Sequence, residues 1–150
     1  MSSENKIEAI FILEVLGKPP EHLIETLEEL IKQIALEKGV NVKEKKVNDP
    51  HLIEKSDNLY TSFAEIVVEC DEIMNLVVIL FKYMPSHLQI IYPEKVTLKN
   101  SEMNDFTNEI IRRLHAYDEV ARVIQFEKSV LETKLKDILG KKEENKEDED

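Results

Sequence analysis

From Glu102 to Leu139 the chain contains neither proline nor glycine. These two residues are the strongest helix breakers, so the stretch can run as one uninterrupted α-helix. At ~1.5 Å per residue it would be about 57 Å long, roughly twice the width of a small domain. Such a helix must bend, lie across a sheet and overhang, or pair with another chain. Ser101 is its candidate N-cap and Gly140 its candidate C′ residue. Leu114, Tyr117, Ala121, Ile124, Lys128, Leu131, Leu135 and Ile138 alternate spacings of three and four, the seam spacing of a coiled coil, with Lys128 the one charged member. Ile111, Val120, Val123, Val130 and Leu139 widen the apolar surface. Two partners are therefore expected, the helix's own domain and another helix or subunit. Tyr117, Ile124, Leu131 and Ile138 are predicted in the second interface.

The residues before this helix alternate between strand and helix patterns. Ile7 to Leu16 has period two, with Ile7, Ala9, Phe11, Leu13 and Val15 on one face. Gly17-Lys18-Pro19-Pro20 breaks it, and Pro20 suits the first position of a helix. Leu23, Leu27, Leu30 and Ile34 form that helix's apolar stripe, with Gly39 as its expected C′ residue. Val40–Val47 reads as a lysine-bearing edge strand, residues 48–58 as a connection, and Tyr60–Cys70 as a third strand. Asp71 is a plausible N-cap for the apolar run to Met84, which length assigns to a helix although its β-branched content would allow a strand. His87–Tyr92 is a fourth strand, ended by Pro93.

The order β-α-β-β-α-β is the split βαβ plan. The expected fold class is α+β, a ferredoxin-like sandwich over residues 1–100, followed by the long helix over 101–140. Residues 141–150 carry six acids and three lysines and are expected to be disordered. The exit from the first strand, Phe11-Ile12-Leu13-Glu14-Val15-Leu16-Gly17-Lys18-Pro19-Pro20 leading into a helix, resembles the ACT-type regulatory domain. That resemblance covers roughly the first 92 residues. It implies binding of an amino acid or other small effector near Gly17, Pro19, Pro20 and His22, at a dimer interface.

The second face of the predicted sheet has an apolar centre of Ile10, Ile12, Phe63 and Val67, ringed by Glu8, Glu14, Glu65 and Glu69. Such a face needs a cover, either the long helix or another subunit's sheet. The glutamates could in principle hold a divalent cation, but no Asp-rich loop or histidine accompanies them. His22, His51, His87 and His115 lack metal-site spacing, the 48–58 loop matches no EF-hand or zinc pattern, and no phosphate loop or nucleophile elbow is present. Catalytic residues, cofactors and metals are accordingly not expected. Cys70 is the single cysteine, which excludes an intramolecular disulfide and reads as a small buried hydrophobe.

A net charge of −11 without a basic block argues against DNA. The three arginines, Arg112, Arg113 and Arg122, all lie on the long helix beside His115. Glu109–Arg113 and Asp118–Arg122 have the i,i+4 spacing of ion pairs. The alternative is an anion patch for RNA or a ribosome. No apolar run approaches the ~20 residues that cross a bilayer, so a soluble, cytoplasmic protein without membrane contact is expected. The residues together point to a non-enzymatic interaction or regulatory module that self-associates or docks a protein partner. An ACT-like effector sensor and an RNA- or ribosome-associated factor are the alternatives.

Overall fold

The structure, a computed structural model, describes residues 6–147. Its elements are β1 (Ile7–Gly17), α1 (Pro20–Ala35), β2 (Val40–Val47), β3 (His51–Leu52), β4 (Tyr60–Cys70), α2 (Ile73–Tyr83), β5 (His87–Tyr92) and α3 (Asn100–Glu147). The sheet order is β2-β4-β1-β5, with β3 added to β4. All neighbours are antiparallel. Because β1 and β2 each run opposite to β4, they are parallel to one another with β4 between them. That is the split βαβ arrangement, so the α+β class expected from the element order holds. The run from Ile73 is a helix, not a strand.

One sheet face carries the core. Ile7, Ala9, Phe11 and Leu13 of β1 and Ala64, Ile66, Val68 and Cys70 of β4 are buried there. Leu23, Leu27, Ile31 and Ile34 of α1 close over them, with Leu76, Val77 and Ile79 of α2. Period two in the strands and the i,i+4 stripe in α1 thus meet on a single surface. Ser62 is the polar residue in this set, and its Oγ donates to the Asn48 carbonyl at 2.7 Å.

Several boundaries differ from the sequence reading. Helix α1 stops at Ala35, and its last carbonyls are taken by Leu36 and Glu37 N–H groups in a tight turn. Gly39 lies beyond that turn with φ +75°, a left-handed conformation that a side chain resists. Glu72, not Asp71, precedes the first turn of α2, because Asn75 Oδ1 accepts its N–H at 2.9 Å. Asn75 Nδ2 also donates to the Lys38 carbonyl at 3.0 Å, so one amide joins the exit of α1 to the start of α2. The 48–58 connection contains the short strand β3, paired with Tyr60 and Thr61.

Helix α3 starts at Asn100, where Glu102 Oε2 accepts the Lys99 N–H at 2.8 Å. It passes through Gly140 to Glu147, so residues 141–147 are helical where disorder was expected; residues 148–150 of that tail lie outside the described residues. A glycine in an exposed helix costs only about 1 kcal/mol relative to alanine, and the surrounding Lys/Glu/Leu residues are good helix formers. The chain divides into two compact units between Thr107 and Asn108, two turns into α3 and not at residue 100.

Cys70 is fully buried, and desolvation, aided by Asp71 and Glu69, pushes its thiol pKa up to about 12. At pH 8 the folded protein is expected to react with a disulfide reagent at least about a thousandfold more slowly than the same protein in denaturant, since the thiolate is the nucleophile. Comparable rates in both conditions would contradict this burial.

Candidate functional site

Two surfaces gather the residues singled out in the sequence. The first is the face of the sheet opposite the core. Antiparallel register sets Ile10 opposite Val67 and Glu14 opposite Phe63 on β4. Ile10, Ile12 and Val67 are half-buried, and Phe63 is 39% exposed. Ile10, Ile12 and Val67 are contiguous on this face, but Glu65 lies between Phe63 and Val67 and opposite Ile12, so the four glutamates do not form a simple ring around an apolar centre.

The same register places Glu8 directly across from Glu69. Two like charges in that position repel. Lys6 Nζ sits 2.8 Å from Glu69, and Lys43 Nζ lies 2.5 Å from Glu8 and 3.8 Å from Glu69. The hydrogen bond from Lys6 holds the Glu69 carboxyl below its ordinary pKa. The carboxylates are thus neutralised by lysines, and among the described residues no group of three or more His, Cys, Asp or Glu could hold a metal ion. Sequence reasoning missed Lys6 and Lys43. Alternation from Val42, which packs on the core, puts Lys43 on this face, and the register shift that follows adds Glu44 and Lys46 to it.

The β1–α1 turn has a simpler geometry. Gly17 has φ +158°, and a Cβ there would meet Leu23 Cδ2 at 3.4 Å. Pro19 is exposed and Pro20 half-buried. His22 points outward, with Nδ1 3.5 Å from Glu25, a neighbour on the same helix. Gly17, Pro19, Pro20 and His22 span the end of β1 and the first turn of α1, and the grooves found among the described residues are lined by α3 and not by them.

The second surface is α3 itself. Tyr117, Ile124, Leu131 and Ile138 are all exposed, as are Leu114 and Leu135 on the same stripe. A shallow groove of about 330 Å³ runs along it, lined by Ile124, Glu127, Lys128, Leu131, Glu132 and Leu135. Lys128 lays its stem in this groove and its Nζ lies 3.9 Å from Glu132. Residues 108–150 contain twelve acids and nine bases, so this part of the sequence carries −3 of the chain's −11. Most of the net negative charge lies in residues 1–107.

The arginines are engaged within α3. Glu109 accepts from Arg112 and Arg113, each at 2.6 Å, and those two guanidiniums hold its pKa down to about 2. Arg122 Nε lies 2.9 Å from Asp118. The i,i+4 reading therefore describes the observed pairing of Arg113 and Arg122, and Arg112 adds an i,i+3 pair. His115 is exposed on the same helix.

No helix among the described residues is long and apolar enough to cross a membrane. No curated protein and no solved structure matches the chain. The model of the MJ0538 family matches residues 8–149, which takes in the sheet, both packed helices and α3 together. With the match running across both compact units, the chain belongs to the MJ0538 family.

Proposed function

We propose that this protein is a non-enzymatic interaction module that self-associates through the apolar seam of α3. The observation that carries the reading is the exposure of that seam. Ile124 and Leu131 are 58% and 65% exposed, and they belong to a stripe with coiled-coil spacing from Leu114 to Ile138. A contiguous apolar surface of this length is costly in water and is recovered when a second helix covers it. Residues 108–150 carry only −3 of the chain's −11, which makes this a less repulsive place for two acidic chains to meet than the domain before it. The half-exposed face around Phe63 offers a second, smaller apolar area to the same kind of contact.

Light scattering of the full chain between about 1 and 100 μM at physiological salt tests this, a range that spans Kd values near −7 kcal/mol. The expected result is twice the chain mass at the upper end, falling on dilution only if the dimer is weak. A chain-mass particle at every concentration would overturn self-association.

A further inference from the structure

We infer that the partner of α3 is the α3 of a second copy running antiparallel, with Ile124 packed against Leu135 of that copy and Ala121 against its Ile138. This rests on the self-association proposed above and adds orientation and register to it.

On the seam, Leu114, Ala121, Lys128 and Leu135 occupy one set of core positions, and Tyr117, Ile124, Leu131 and Ile138 the other. In a parallel, in-register pair each core residue meets its own copy. Lys128 would then face a second Lys128 inside an apolar seam, and Ala121 a second Ala121, which leaves a gap. On the flank, Glu127 would face Glu132 of the other chain twice. The favourable cross-pair in that arrangement, Arg113 with Asp118, competes with bonds already made within the helix, to Glu109 and Arg122.

Antiparallel pairing brings the two sets of core positions against each other. In the inferred register Lys128 lies against Leu131 of the second copy and keeps its ammonium at the edge, beside its own Glu132. Ala121 meets the larger Ile138, so small packs on large. The flanks then place Glu127 opposite Lys134 of the second copy, twice by symmetry, and Gln125 opposite Glu132. Sliding one heptad, so that Leu131 meets Ala121, also covers Leu114 with Ile138 and Tyr117 with Leu135, which the inferred register sets opposite Asn145 and Lys142. It also sets Glu127 against Glu127, Asp118 against Glu132 and Arg113 against Lys141. The slid register gains apolar overlap at its ends but sets five like-charge contacts on its flanks, whereas the inferred register has none there and gains Glu127 with Lys134 twice; the charges select the first.

Disulfide trapping of the full chain reads this directly. One preparation carries Ala121→Cys and another Ile138→Cys; Cys70 stays in place because it is buried. Both sites are exposed in the single chain, and circular dichroism confirms folding of each variant. Mixed and oxidised, the two preparations are expected to give a mixed disulfide dimer in at least about tenfold excess over either variant alone, because a disulfide needs Cα atoms within ~7 Å. Ala121→Cys cross-linking to itself would overturn the orientation, since antiparallel pairing separates those two positions by about 25 Å. No cross-link in a dimer of confirmed mass would overturn the register. A particle of chain mass by light scattering would instead overturn the self-association on which both depend.

Discussion

Replacing Ile124 and Leu131 together by aspartate is expected to give a folded protein that remains at chain mass at every concentration tested. Each side chain buried against an apolar partner contributes about 1.5–3 kcal/mol, and two-fold symmetry counts each substitution twice. The four lost contacts amount to about 6 kcal/mol at the low end, or roughly four orders of magnitude in Kd. The desolvation of four carboxylates adds to that loss. Folding itself should be spared because both residues are well exposed in the single chain. The control is Phe126→Asp. Phe126 is 70% exposed, more than either seam residue, but two residues past Ile124 it projects from the opposite side of the helix. Dimer lost in the first variant and retained in the second locates the contact on the seam. Dissociation by both would mean that general helix hydrophobicity, and not this stripe, holds the copies together.

The helix α3 and the apolar stripe exposed along it were legible in the sequence because spacings of three and four persist over several heptads, and no sheet pattern imitates them. The two central strands were equally legible. In β1 and β4 every second residue is apolar or small, and that face became the core. What sequence reading misplaced lies where the backbone departs from its period. Val40, Val42 and Val47 all pack toward the core, although Val42 and Val47 are an odd number of residues apart. That slip in phase was the available signal for the irregularity that returns Val47 to the core and turns Glu44 and Lys46 outward beside Lys43. Lys43 itself follows from alternation with Val42, and the rim read as four unpaired glutamates because neither it nor Lys6 was counted. Asn75, a polar residue in the apolar run of α2, is the amide joining α1 to α2. Its role depends on Lys38 lying close in space, which no local pattern encodes. Gly140 was taken as a stop because glycine often ends helices, but the sequence beyond it had enough helix propensity to absorb the cost.

The two faces of the sheet give the other large expected effect. Phe11 and Phe63 lie on adjacent strands and differ in which side of the sheet they occupy. Phe11 is fully buried between Ile66 on β4 and Leu88 on β5, its register partners. Phe11→Ala is expected to cost about 3–5 kcal/mol, the transfer loss of an aromatic ring plus the cavity left in a rigid core. For a domain of about 100 residues that lowers the melting temperature by roughly 15–30 °C, a large share of total stability. Phe63→Ala removes the same ring from a face where it keeps 39% of its exposure, so the loss should be about 1 kcal/mol. The ratio of the two effects reports what covers the outer face. If thermal unfolding of Phe63→Ala falls as far as that of Phe11→Ala, then Ile10, Ile12, Phe63 and Val67 are buried in solution as well, and the sheet face belongs to the assembly. If that deficit shrinks as the protein is diluted, the cover is a second copy, because only an intermolecular contact is lost by mass action.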